Sequence, residues 1–138
     1  MTEYTKPLPT PGIDSKPYWD AARRHELMMQ KCQDCGRVYF PPSVSCNYCS
    51  SLNVEWVKLS GRGRLYTFAV ANRGFTPVWA EEVPYPVIMV ELEEGPRLIS
   101  SIVDCKTEDL KLDMPVEVVF DDVTEEATLV KFRPASTR

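Results

Sequence analysis

Apolar and polar positions alternate in short runs along most of the chain, and only one stretch carries a helical period. Residues 65–71 alternate with Tyr66, Phe68 and Val70 on one face, and residues 87–92 place Ile88, Val90 and Leu92 on one face. Residues 98–103, 116–120 and 128–132 are three further β-rich runs. Five short strands with no strong helix between most of them predict a small barrel. Five is the strand count of an OB-fold, although the period alone does not separate that from an SH3-like barrel. Residues 107–112 are the one helical possibility inside it, and no internal repeat points to a solenoid.

Ahead of this barrel, residues 27–31 and 38–42 read as short strands around a cysteine turn, and residues 54–59 as another β-rich run. Gly61 and Gly63 then read as a hinge or bulge between two modules. Residues 18–26 have helix-forming composition, with Asp14 or Ser15 as N-cap and Pro17 tolerated in the first turn. A helix of about ten residues is marginal alone. It needs a surface to dock on, and its own body is favoured over another chain. Pro7, Pro9 and Pro11 with Gly12 read as an extended arm.

Composition narrows the class. With 138 residues, 43% hydrophobic and 26% charged, the chain supports one ordinary domain or two small modules sharing a core. No apolar run approaches the ~20 residues of a membrane span. The start, Thr2-Glu3-Tyr4-Thr5-Lys6-Pro7, lacks the apolar core of a signal peptide, so a cytoplasmic location is expected. The net charge of −4 hides an asymmetry: residues 1–80 carry ten Lys/Arg against six Asp/Glu, and residues 81–138 carry six against fourteen. The overall acidity argues against a protein whose main task is neutralising nucleic-acid phosphates. The basic first part leaves room for a local anion site.

Cys32-Gln33-Asp34-Cys35 and Cys46-Asn47-Tyr48-Cys49 are two Cys-x-x-Cys pairs separated by ten residues. A two-residue spacer lets both thiolates of a tight turn reach one ion, and Gly36 relieves the first turn sterically. Together they predict a tetrahedral four-thiolate zinc site; iron in a rubredoxin-like site, disulfides and redox dithiols are the alternatives. Four cysteine ligands saturate zinc and leave no open position, so the expected role is structural. Cys105 reads as a packing residue, and His25 as a surface residue of the helix. No nucleotide-binding glycine loop or His-Glu-x-x-His motif is present, and the adjacent acid pairs Glu81-Glu82, Glu93-Glu94, Asp121-Asp122 and Glu125-Glu126 read as solvated loop charge. Independent catalysis is not expected.

The order of these parts is specific: Tyr18-Trp19 in a helix, Leu27 leading to Cys32-x-x-Cys35-Gly36, Phe40-Pro41-Pro42, Cys46-x-x-Cys49, Trp56, Ser60-Gly61-Arg62-Gly63, then Val90-Glu91-Leu92 with Gly95. It resembles the rubredoxin-like zinc-ribbon/OB-fold family once catalogued as domain of unknown function thirty-five, over about residues 18–134. The resemblance implies a mainly β fold with an N-terminal helix, a rubredoxin-like zinc ribbon and a C-terminal five-stranded OB-fold barrel. The expected division is an extended arm over 1–13, helix and lead strand over 14–31, zinc ribbon over 32–59 and OB-fold over 60–138. It further implies a small non-catalytic subunit that binds or channels acyl-CoA beside a thiolase-like, ketosteroid aldolase-like or enoyl-CoA hydratase-like enzyme.

Two groups of residues suit such a role. Lys58, Arg62, Arg64 and Arg73 fall in sixteen positions without an Asp or Glu, and guanidinium groups suit the 3′-phosphate and pyrophosphate of coenzyme A. Phe75 and Trp79, in the long connection over 73–86, and Tyr18 and Trp19, at the helix start, are the expected contacts to an enzyme partner. A single-stranded nucleic-acid-binding ribbon and OB-fold is the alternative, and a free acyl-CoA-utilising enzyme is a third reading.

Overall fold

Pro17 in the first turn and the inward stripe of Tyr18, Ala21 and Ala22 shape the first element, α1 (Lys16–Arg23). The computed structural model describes residues 8–74, 77–80 and 83–135, apart from the side chains of Val78 and Trp79. Three strands follow α1: β1 (Met28–Cys32), β2 (Val38–Tyr39) and β3 (Val54–Lys58), antiparallel in the order β2-β1-β3. The second sheet is built from β4 (Arg62–Ala71), β5 (Tyr85–Leu92), β6 (Arg97–Ser100), β7 (Pro115–Asp122) and β8 (Thr128–Pro134). A one-turn helix, α2 (Pro77–Ala80), interrupts the connection from β4 to β5.

The strand order is β6-β5-β4-β7-β8, and the chain just past β6 closes it. Ile102 and Phe132 form a parallel bridge, the Phe132 N–H donates to the Ser101 carbonyl at 3.0 Å, and the Val103 N–H donates to the Phe132 carbonyl at 2.8 Å. The result is the expected five-stranded barrel of the OB type. Its interior is filled by Leu65, Ile88, Val90, Leu92, Leu98, Ile102, Val116 and Phe132, each at most 8% exposed. Side chains of this kind contribute roughly 1.5–3 kcal/mol each on full burial.

Helix α1 docks on its own chain, against β1, β7 and β8. Tyr18, Leu27 and Met29 belong to the same buried cluster as the barrel residues, so ribbon and barrel share a core. Among the described residues no helix is long and apolar enough to cross a membrane.

Several expectations are corrected. Residues 24–26 are not helical, and His25 lies beyond α1 at φ 62°. The 107–112 segment makes only a single 3-10 turn at Thr107–Asp109. Tyr66 does not share the inward face of Phe68 and Val70. The β4–β5 register slips between Leu65 and Thr67, so Tyr66 is the extra residue of a bulge and the alternation changes phase there. Gly61 and Gly63 are points of close approach rather than a hinge: a Cβ would stand 2.4 Å from Val118 Cγ1 at Gly61 and 2.4 Å from the Glu91 carbonyl oxygen at Gly63.

Candidate metal centre and basic junction

The two Cys-x-x-Cys turns have the same local geometry. In each, the amide of the residue after the second cysteine donates to the first cysteine's carbonyl, Gly36 to Cys32 at 2.9 Å and Ser50 to Cys46 at 3.0 Å. Gly36 and Ser50 both take positive φ, 79° and 66°, which turns the chain back under the thiols. The four Sγ atoms then lie within 4.8 Å of one another. Cys32–Cys49 and Cys35–Cys46 are both 3.6 Å apart, close to the ~3.8 Å edge of a sulfur tetrahedron around an ion at ~2.3 Å. A disulfide needs ~2.05 Å. The donor set therefore fits one tetrahedral thiolate-bound ion.

Backbone amides favour the ionised form of the first cysteine in each turn. The Cys35 N–H points at Cys32 Sγ at 3.4 Å and pulls that thiol down to about 6. At Cys46 burial opposes ionisation, but the Tyr48 and Cys49 amides outweigh it and the thiol is lowered. Cys32 and Cys46 are buried beside Tyr39, whereas Cys35 and Cys49 are exposed.

The ten-residue link between the turns is held from inside the sheet. Gln30 is 6% exposed; its Nε2 donates to the Ser43 carbonyl and its Oε1 accepts from the Ser43 N–H, both at 2.8 Å. Ser43 Oγ donates to Asn47 Oδ1 at 2.9 Å, which ties the link to the second turn. From the first turn, Asp34 accepts from Ser51 Oγ and from Asn53 Nδ2, and these bonds lower its pKa.

Of the four basic residues chosen for coenzyme A, Lys58, Arg62 and Arg64 lie at the junction of ribbon and barrel. Arg73 follows the far end of β4, on the order of 30 Å along the strand from Arg62. The acid-free window of the sequence is not acid-free in space. Arg62 pairs with Glu93 at 3.2 Å, and Arg64 pairs with Glu91 at 2.7 Å and with Asp113. Glu93 and Glu94 are solvent-exposed, as expected, and also accept from the Ser60 hydroxyl and amide. Likewise Asp121 takes Lys131 Nζ at 2.6 Å, and Asp122 accepts from Thr128 Oγ1 at 2.6 Å.

Of the residues expected to meet a partner, the structure describes the side chains of Tyr18 and Trp19. Tyr18 is 6% exposed, edge-on to Trp19 at 5.1 Å and tilted against Phe40 at 5.3 Å, and its burial pushes the phenol pKa well up. Trp19 is half-buried beside it. Phe75 and the Trp79 side chain lie outside the described residues. His25 stacks on Phe120 at 5.2 Å and reaches Asp122 at 2.9 Å, fastening the segment after α1 to β7.

Sequence reasoning missed Arg97. Its guanidinium lies 3.8 Å from the Tyr66 ring centre and bonds Glu91 at 3.0 Å. With Phe40, Tyr48, Gly95 and Pro96 it lines an open cleft of about 350 Å³ between ribbon and barrel. Nothing local flags Arg97; only the cross-strand register opposite Glu91 brings it there.

The chain matches the family described as ChsH2, rubredoxin-like zinc ribbon domain, over residues 19–55, and ChsH2, C-terminal OB-fold domain, over residues 56–121. It is 39% identical over 104 residues to a DUF35 domain-containing scaffold protein of Methanocaldococcus jannaschii, covering 75% of this chain and 73% of that one. A probable enoyl-CoA hydratase alpha subunit of Thermomonospora curvata is 33% identical over 130 residues, 94% of this chain but 40% of that protein's length. Benzoylsuccinyl-CoA thiolase subunit BbsA of Thauera aromatica is 31% identical over 72 residues, 52% of this chain and 48% of that one. The solved structure described as Ltp2-ChsH2(DUF35) aldolase superposes with a TM-score of 0.82 at 33% identity, covering 93% of this chain and 99% of that one.

Proposed function

The chain belongs to the DUF35 family of ChsH2-type zinc-ribbon and OB-fold proteins, and from that premise we propose a non-catalytic, zinc-containing subunit that binds acyl-CoA and assembles with a thiolase-like enzyme. The complex would make or break C–C bonds of acyl-CoA substrates in the cytoplasm. The observation that carries this reading is the near end-to-end likeness to the chain of the Ltp2-ChsH2(DUF35) aldolase structure. The thiolase subunit and the hydratase subunit among the relatives support the same class of partner.

The chemistry of the residues agrees. One zinc ion held by Cys32, Cys35, Cys46 and Cys49 has no open position, so it braces the ribbon and takes no part in a reaction. His25 is engaged with Asp122, and the barrel interior is filled by its own side chains, which leaves acyl-CoA to the surface shared with an enzyme. Lys58 and Arg62 are the groups best placed for a coenzyme A phosphate. The Arg62–Glu93 pair is exposed, and such pairs are worth about 0–1 kcal/mol, so a phosphate can take over the guanidinium. Arg64, clamped by Glu91 and Asp113, holds the strand beneath them, and Arg73 is too distant to share the same phosphate. A single-stranded nucleic-acid role has less support, because the Tyr66 ring is covered by Arg97 instead of being offered for stacking.

The test is co-expression with a thiolase-like subunit encoded beside it, followed by co-purification, metal analysis and calorimetric titration with acyl-CoA. A stable complex, about one zinc per chain and roughly tenfold weaker acyl-CoA binding by the Lys58→Ala/Arg62→Ala protein are expected, the last corresponding to ~1.4 kcal/mol. Undiminished acyl-CoA affinity removes the basic junction from the reading, and absence of any complex removes the subunit role.

A further inference from the structure

We propose that the open edge of β4 over residues 66–71, with the uncharged sheet face beside it, seats an extended segment of the enzyme subunit, which joins the barrel as an added strand. The proposal rests on the reading that the chain assembles with an enzyme, and it names the surface used.

Strand β4 pairs with β5 as far as Ala71, but with β7 only through Arg62, Gly63 and Arg64. Leu65 is still tied on that side, its N–H to the Met114 carbonyl at 2.9 Å and its carbonyl to the Asp113 N–H at 2.8 Å. Beyond Leu65, no backbone group among the described residues pairs with β4 from the β7 side. The stretch left open reads Tyr66-Thr67-Phe68-Ala69-Val70-Ala71, with no charge, no proline and no glycine. Exposed edges are normally blunted by charge, proline or cover, because unpaired N–H and C=O groups recruit other strands. A second free edge shows that protection: β3, on one rim of the ribbon sheet, carries exposed Glu55 and Lys58. The edges of β6 and β8 are joined to one another.

The face next to this edge is apolar as well. Thr67 stands opposite Met89, Ala69 opposite Val87, and Met89 opposite Ile99. Thr67 and Ala69 are exposed, as are Val87 at 38% and Ile99 at 68%. Small side chains on β4 let another backbone approach, and the uncharged face beside them suits a protein surface rather than a phosphate backbone.

Charge at the two ends of the edge sets the chemistry of the occupant. Arg64, before it, is neutralised by Glu91 and Asp113. Arg73, just after it, is exposed and has no ion-pair partner among the described residues. The edge therefore suits a segment that is uncharged over about six residues and carries a carboxylate where it meets Arg73, with alternate main-chain groups bonding to β4 as in any added strand.

The experiment uses the full chain with the enzyme subunit that co-purifies with it. Amide exchange followed by mass spectrometry should show protection of residues 66–71 rising at least tenfold in the complex. Ala69→Lys, which puts a charge on an exposed position, should weaken the complex at least tenfold with zinc content and melting temperature unchanged. Arg73→Glu should weaken it several-fold, and Glu55→Lys on the β3 edge should leave it unaltered. If a complex forms while exchange at 66–71 is unchanged, the proposal falls and the assembly reading stands. If no enzyme subunit binds, both fall. A dimer of the chain alone that Ala69→Lys dissociates assigns the edge to a second copy and overturns the choice of occupant.

Discussion

Gln30 and Ser43 hold each other through two hydrogen bonds, side chain to backbone in both directions, each 2.8 Å long. They connect the central ribbon strand to the link that carries the second cysteine turn. Gln30→Leu roughly keeps the volume but strips the Ser43 N–H of its partner and leaves the Ser43 carbonyl only the Tyr39 hydroxyl at 3.3 Å, and a buried group left unsatisfied costs about 1–3 kcal/mol. We expect a loss of about 1–3 kcal/mol in urea unfolding, with faster zinc release to a chelator. Unchanged release kinetics would mean that the link is held by other contacts.

Removal of the metal should loosen the ribbon before the barrel. Structural zinc supplies folding free energy to segments that cannot bury enough by themselves, and the small cluster under the cysteines is only Cys32, Tyr39 and Cys46 with Val54 against it. In the chelated protein, or in Cys46→Ser, amide protection should vanish over residues 32–53 and persist in β5, β7 and β8. Cys105→Ser should retain the metal, since burial and Asp109 push the Cys105 thiol up and it lies apart from the four ligands.

Gly63→Ala brings a Cβ within 2.4 Å of a backbone oxygen, that of Glu91 in the neighbouring strand. Neither partner can rotate away, so the strands must part. Overpacking of this kind costs about 1–3 kcal/mol. Gly61→Ala meets the softer Val118 side chain but sits at φ 80°, which adds ~1–2 kcal/mol for an L-residue. Both should lower the urea midpoint.

Asp122 gives the protein an acid-side dependence. Its hydrogen bonds from Thr128 and then from His25 hold its carboxyl below the usual carboxylate range. A carboxylate lowered in the folded state stabilises above its unfolded value, near ~3.9, and that contribution is lost as pH falls through the lower folded value. The melting temperature of Asp122→Asn should therefore lie below that of the parent at pH 5 and converge with it below pH ~3.9. A constant gap across that window would show that the carboxylate's charge is not what matters.

The sequence was most legible where chemistry or alternation is local. The cysteine spacing singled out the four thiols that the fold brings together, because a two-residue spacer leaves few other geometries, and Ile88, Val90 and Leu92 line the barrel as their period requires. Tyr66 was misplaced because one inserted residue inverts the phase of everything after it. The basic window over 58–73 looked free because its acids, Glu91, Glu93 and Asp113, arrive from distant positions through strand register. His25 was assigned to the helix because nothing in its neighbours announces a left-handed residue beyond the C-cap.

The bridge between Ile102 and Phe132 works as a latch. By fastening the first and last staves of the barrel it removes two of the sites where one molecule could adhere indiscriminately to the next. The closed seam leaves residues 66–71 of β4 unpaired on their β7 side among the described residues, so whatever meets the barrel edge-on there is offered one short, uncharged rail.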